Sequence, residues 1–253
     1  NSILKGKKNE APLTMETRNQ FLKKNDDFYN GMKIITLESQ MEKNPVVSPS
    51  SLEKGQNEVG DALVSLNPVA PELSSLLPKL LEKNFNAAHF GTFAHAFMES
   101  FVRDSENVLH GLPAFAFRNL WDYNKSEEEN FNDPLCKEMI SVCKKMCQAF
   151  AASAFAKELS KAEKVHPEYA FVAWQDEMVV NGIIDLCYKM PDGRVVVVDY
   201  KTDEDIHPDK YFPQLACYKD AVSELFDTDK SKVECYLFYL RYGHSVDVTD
   251  ALN

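Results

Sequence analysis

No apolar run in the sequence approaches the roughly 20 residues that a helix needs to cross a bilayer, and no secretory leader opens it. A membrane partner is therefore not expected, and the chain is expected in the cytoplasm. No Cys-x-x-Cys spacing occurs among the six cysteines. Cys143 and Cys147 fall one helical turn apart, yet no second pair completes a zinc site. Reduced thiols, mostly filling core space, are the expectation. An excess of basic charge is also missing: 28 Lys and Arg stand against 39 Asp and Glu, for a net charge of −11. A stand-alone nucleic-acid binder carries a basic surface. Either the substrate is of another kind, or DNA is delivered by a partner and meets only a local basic strip. No internal repeat is visible. The first residue is Asn rather than Met, which predicts a piece of a longer protein.

What is present is enough apolar material, 44% of 253 residues, for one substantial core or two small ones. Residues 1–47 are polar and mixed and read as a lead-in from a larger upstream body, with a helix over 14–30 and a strand over 32–37. Ser48-Pro49-Ser50-Ser51-Leu52-Glu53 is a helix-start signal, with Ser as cap and Pro early, and 55–71 reads as loop. A single domain is expected over 48–253. Leu73, Leu76, Leu77, Leu80 and Leu81 predict a helix over 71–83. Phe93, Ala94, Phe97, Met98 and Phe101 predict another over 91–102, in which His95 and Glu99 share a face. Taken alone, His95 reads as a hydrogen-bonded structural histidine. Residues 111–131, with Trp121 and several Phe, read only as a helix or an insertion. A long helix is expected over 134–164. Its Lys137, Lys144, Lys145, Lys157, Lys161 and Lys164 form a solvated face that is also the densest basic strip available.

Residues 168–175, 178–190 and 194–201 then read as three strands. Residues 208–226 read as a helix with Gln214 and Tyr218 one turn apart, and 231–240 and 245–248 as closing strands. The class is α/β, with helices, three antiparallel strands, a helix and a further strand making a mixed central sheet flanked by helices.

The informative stretch is 182–202. Pro191-Asp192-Gly193 joins two apolar strands, with Pro at the first turning position and Gly supplying the left-handed residue that closes a three-residue hairpin loop. Such a loop pairs Met190 with Arg194, and counting back places Asp185 opposite Asp199, with Cβ atoms about 5 Å apart. Lys201, two residues on, points to the same face as Asp199. Carboxylates that close repel unless one is protonated or a cation lies between them. A divalent metal with oxygen ligands is the natural occupant. If residues 176–177 form a two-residue turn, Glu168 faces Asp185 as well, although a one-residue slip would send it to the other side. Burying Asp199 after Val195–Val198 without a partner would cost several kcal/mol. A metal held by Asp185 and Asp199 offers charge neutralisation at a phosphodiester and a polarised water. Lys201 could orient or help deprotonate that water, or stabilise the pentacovalent charge.

These residues resemble the PD-(D/E)xK nuclease superfamily, specifically its RecB-like branch, typified by the C-terminal nuclease domains of RecB/AddA-type helicase-nucleases. The motifs are Gly91-Thr92-Phe93-Ala94-His95, Glu168, Gly182-Ile183-Ile184-Asp185, Asp199-Tyr200-Lys201-Thr202 and Gln214-Leu215-Ala216-Cys217-Tyr218, in that order over residues 85–245. The resemblance implies a restriction-endonuclease-like core. It implies that His95, Asp185, Asp199 and the Tyr200 backbone carbonyl bind the metal, and that Glu168 lies near it. Lys201 becomes the catalytic lysine, and Gln214 and Tyr218 position the site or the strand. The implied function is a Mg²⁺-dependent deoxyribonuclease, with Mn²⁺ as substitute. It would digest single-stranded DNA ends delivered by a UvrD/Rep-type helicase motor, upstream in the same chain or in a partner subunit, during double-strand break repair.

Two departures matter. Some relatives hold an iron–sulfur cluster with one Cys before the nuclease and three after the catalytic Lys; nothing here matches that spacing, so no cluster is expected. No Gly-x-x-x-x-Gly-Lys motif occurs, so any motor lies elsewhere. The alternatives are a non-catalytic DNA-binding or docking module that keeps the nuclease fold, and a nuclease for RNA or structured DNA that works without a helicase.

Overall fold

The structure, a computed structural model, describes residues 46–52, 66–175 and 178–252. The expected helix over 14–30, the strand over 32–37, most of the loop over 55–71 and the turn at 176–177 lie outside those residues. Among the described residues there are seven α-helices: α1 (Leu73–Leu81), α2 (Ala87–Arg103), α3 (Ala114–Phe117), α4 (Glu127–Phe131), α5 (Pro134–Ala152), α6 (Ala154–Leu159) and α7 (Phe212–Leu225). Among the same residues six strands form one mixed sheet: β1 (Val46–Val47), β2 (Lys164–Gln175), β3 (Met178–Lys189), β4 (Val195–Lys201), β5 (Val233–Tyr239) and β6 (His244–Asp247).

Strands β2, β3, β4, β5 and β6 lie side by side, antiparallel except for the parallel pair β4–β5. Parallel neighbours need a crossover, and α7 supplies it. The short β1 runs parallel to the start of β3, on the edge that β4 takes further along. The Val195–Val198 run belongs to a strand covered on both faces. Val196 and Val198 join Leu186, Tyr188 and Phe238 in a core with side chains of α1, α2 and α5. Val195 and Val197 pack with Leu215 and Val222 of α7 on the other face. All six cysteines are free and buried, three in each core.

The 191–193 turn closes as its residue types demand. Met190 N donates to Arg194 O at 2.8 Å, Gly193 N donates to Met190 O at 3.0 Å, and Gly193 has φ of 87°. Gly182 is required for a different reason. A Cβ there would lie 2.9 Å from the Phe171 ring and from Pro49 Cγ, so the glycine admits the 3₁₀ turn Pro49–Leu52 against the sheet.

Two expectations are corrected. The helix over 134–164 is broken at Ser153, whose backbone is extended (φ −73°, ψ 169°). Ser153 N and Oγ both donate to the Phe150 carbonyl, at 2.9 and 2.5 Å, which ends α5. The redirected chain lets Phe155 pack on Phe150, Tyr236 and Phe238. The strand expected from residue 168 begins at Lys164, because pairing with β3 continues to Lys164↔Lys189. Pro167 is tolerated inside it because β2 lies at the sheet edge.

Candidate active site

The site lies where β3 and β4 part. Their pairs run from Lys189↔Val195 to Leu186↔Val198 and stop one rung short of Asp185 and Asp199. In a regular strand, residues two apart share a face. Ile184 nevertheless packs on the α7 side while Leu186 packs with the opposite core, so the strand turns at Asp185. Across from it on β2, Glu168 has a left-handed backbone, φ 51°. The flanking pairs Pro167↔Leu186 and Tyr169↔Ile184 keep a single register, so the distortion is local and inserts no residue.

That double distortion brings three side chains together. His95, Glu168 and Asp185 each offer a ligand atom, and these atoms lie within 4.8 Å of one another. His95 comes from α2, whose first turn is capped by Asn86 (Oδ1 accepting from His89 N, 2.9 Å) and whose apolar stripe of Phe90, Phe93, Ala94 and Phe97 is buried. His95 Nδ1 sits 2.9 Å from Asp185 Oδ1. The other oxygen, Asp185 Oδ2, accepts from Tyr200 N at 2.7 Å. The Lys201 carbonyl accepts from Leu240 N at 2.8 Å on the far side. By strand alternation, the Tyr200 carbonyl therefore points toward β3.

Asp199 is 2% exposed and lies outside the three-residue group. Its Oδ2 is 2.8 Å from Lys201 Nζ, a charge contact that misses hydrogen-bond geometry, so this buried oxygen has no hydrogen-bond partner. Lys201 Nζ donates to Gln214 Oε1 at 3.0 Å. Gln214 Nε2 donates to Tyr218 OH at 2.9 Å, and Tyr218 OH donates to the Ile183 carbonyl at 2.8 Å. One face of α7 thus ties the lysine to the strand that carries Asp185.

Negative charge in the site exceeds its compensation. Burial pushes Glu168 up to about 7, helped by the Asp185 charge. Burial and Asp185 raise Asp199 to about 6 against the opposing pull of Lys201. For His95, burial alone would favour the neutral ring, but the Asp185 carboxylate outweighs it and lifts the imidazole to about 9. Carboxylates held above their ordinary range, with a buried Asp199 oxygen met only by the Lys201 charge, fit a divalent cation. The donor set of His95, Glu168, Asp185 and Asp199 suits one.

Three residues of the site escape the sequence patterns. Arg103 donates to Glu99 Oε1 at 2.9 Å and to the Pro167 carbonyl at 3.2 Å, beside Glu168. Glu99 stands out in the sequence only as a neighbour of His95. Tyr211 lies under Lys201 Nζ, 3.7 Å from its ring centroid. A signal for it exists, since Tyr211 precedes Gln214 by three residues and shares the face of Gln214 and Tyr218.

The sequence of this chain matches the PD-(D/E)XK nuclease superfamily over residues 72–249. It is 31% identical over 185 residues to an ATP-dependent helicase/nuclease subunit of Clostridium botulinum (strain Alaska E43 / Type E3), a match covering 65% of this chain and 14% of that protein. The ATP-dependent helicase/nuclease subunit of the same name from Clostridium perfringens (strain 13 / Type A) is 24% identical over 186 residues, 64% of this chain and 14% of the relative. Its namesake from Streptococcus thermophilus (strain ATCC BAA-250 / LMG 18311) is 32% identical over 102 residues, 36% and 8% respectively. The chain therefore spans 14% or less of the length of these curated relatives. The RecB-like resemblance of its motifs is matched by these helicase/nuclease proteins. A family match that runs from the start of α1 to just past β6, well over half of the chain, leaves one assignment: the chain belongs to the PD-(D/E)XK nuclease superfamily.

Proposed function

We propose that this chain is a metal-dependent nuclease domain that hydrolyses DNA phosphodiester bonds. It would act as an exonuclease on single strands fed by a helicase motor in the same protein or a partner subunit, during double-strand break repair. The convergence of His95, Glu168 and Asp185 beside the Asp199–Lys201 pair carries this reading. The relatives' name, helicase/nuclease, supports the motor and the DNA substrate. A delivered substrate also suits a chain of net charge −11.

His95, Asp185 and Asp199 would hold the ion with the Tyr200 carbonyl, and Glu168 would face it from β2. The oxygen-rich donor set supports Mg²⁺, with Mn²⁺ as a substitute. When bound, a divalent ion neutralises charge on the phosphodiester and acts as a Lewis acid toward water. Lys201, held between Asp199 and Gln214, would orient the attacking water and offset charge growing on the phosphoryl oxygens. Gln214 and Tyr218 keep Lys201 in register with β3 through the Ile183 carbonyl. Asp185 does two jobs, accepting from Tyr200 N with one oxygen and facing His95 with the other. The six buried free thiols support a reducing compartment, the cytoplasm. Among the described residues no helix is long and apolar enough to cross a membrane.

Degradation of single-stranded DNA in Mg²⁺ by the parent, Asp199→Ala and Lys201→Ala proteins tests the reading. Each variant is expected to lose about a hundredfold or more in rate. Variants as active as the parent would overturn it.

A further inference from the structure

We infer that Tyr211 is a positioning residue for the nuclease reaction, its ring face holding the Lys201 ammonium at the point from which it acts. The inference rests on the proposed nuclease function. Tyr211 is 4% exposed and ends the 3₁₀ turn Pro208–Tyr211, which runs directly into α7. Its ring centroid is 3.7 Å from Lys201 Nζ. The negative face of an aromatic ring attracts a cation, and more strongly when water is excluded. The Lys201 side chain is 11% exposed, so this pair is largely dry.

The supports around Lys201 Nζ differ in kind. Asp199, 2.8 Å away, pulls with a full charge, and Gln214 accepts a hydrogen bond at 3.0 Å. Lysine has four rotatable bonds, and the carboxylate already holds its ammonium at contact distance. The ring adds a further restraint on the ammonium without a second full negative charge. Tyr211 is itself fixed at its tip. Its OH donates to Asp203 Oδ2 at 2.9 Å and accepts from Lys210 Nζ at 3.1 Å. The hydroxyl therefore tethers the segment leaving β4, while the ring face holds the ammonium, and substitution separates the two roles.

The test uses the full chain with three replacements: Tyr211→Phe, which keeps the face and drops the hydroxyl; Tyr211→3,4,5-trifluorophenylalanine, which keeps the ring shape and weakens its face; and Tyr211→Leu, which removes it. On single-stranded DNA in Mg²⁺, kcat is expected to stay within about threefold for Phe and to fall about tenfold for the trifluorinated ring and for Leu. KM and Mn²⁺ affinity by calorimetry are expected to stay unchanged. A Phe variant as slow as Leu, or a trifluorinated variant as fast as Phe, would overturn the assignment; the trifluorinated protein decides the matter even if Leu impairs folding. Independently of activity, the Lys201 Hε resonance of ¹³Cε-lysine-labelled protein, assigned with Lys201→Arg, is expected upfield in the parent and relaxed in Tyr211→Leu. An unshifted resonance in the parent would refute the contact itself, whereas an inactive parent would refute the proposed function.

Discussion

Asp185 Oδ2 accepts from Tyr200 N at 2.7 Å, taking up a backbone donor just where the β3–β4 ladder has ended at Leu186↔Val198. A carboxylate in place of a ladder bond lets two strands separate without leaving a buried N–H unpaired. The opening it creates is where His95 and Glu168 meet Asp185.

Asp185→Asn keeps an acceptor for Tyr200 N, and Asp185→Ala does not. Urea unfolding without metal is expected to find the Ala protein about 1–2 kcal/mol less stable than the Asn protein, the cost of an unsatisfied buried donor. Both are expected to lose Mn²⁺ binding. Equal stability would mean that the Tyr200 N–H finds another partner.

Metal should oppose the pH dependence of stability. Glu168 rises from 4.5 to about 7, Asp199 from 3.8 to about 6 and His95 from 6.5 to about 9. Each raised group contributes stability that is full below its unfolded value and is lost as pH climbs through its folded value. Metal-free Tm is therefore expected to fall from pH 6 to pH 9 on account of Glu168 and His95, the Asp199 contribution being lost below pH 6. An ion needs ionised carboxylates and neutral imidazole, so the Tm gain from saturating Mn²⁺ should grow over the same range. Calorimetry near pH 7.5 should show a proton released that His95→Ala does not release. A metal-induced gain that shrank as pH rose would contradict this.

The left-handed backbone of Glu168 can be isolated from its carboxylate. Glycine accepts φ of 51° at little cost and alanine does not. Glu168→Gly is expected to be about 1 kcal/mol more stable than Glu168→Ala in metal-free denaturant titrations, the reverse of the usual order within a strand. Both should bind Mn²⁺ more weakly than the parent.

Gln214→Ala removes the acceptor for Lys201 and leaves Tyr218 OH to the Ile183 carbonyl. Because Gln214 acts through the lysine, kcat is expected to fall about tenfold with KM little changed. A rise in KM alone would instead place Gln214 on the DNA strand.

Much of this site is legible in the sequence because turn chemistry fixes register. Pro191-Asp192-Gly193 admits one closure, so the pairing through Leu186↔Val198 can be counted in advance. The same counting across 176–177 sets Glu168 opposite Asp185, as the flanking pairs have it. The failure of the last rung is not legible. Alternation rules describe regular strands, and nothing in Ile184-Asp185-Leu186 announces a turn of the backbone toward α2. His95 can be singled out only by resemblance, since a helix and a sheet meet through tertiary packing that local pattern does not encode. The break at Ser153 is hidden because apolar spacing continues through it to Phe155, which packs into the same core from a separate helix.

Crystals grown in Mn²⁺ and measured at the manganese absorption edge test the account at its centre. The expected result is an anomalous peak in contact with His95, Asp185 and Asp199, with Glu168 facing it from β2 and Lys201 beside it. A peak bound elsewhere, or none at these residues in crystals of a protein that cleaves DNA in Mn²⁺, would contradict it.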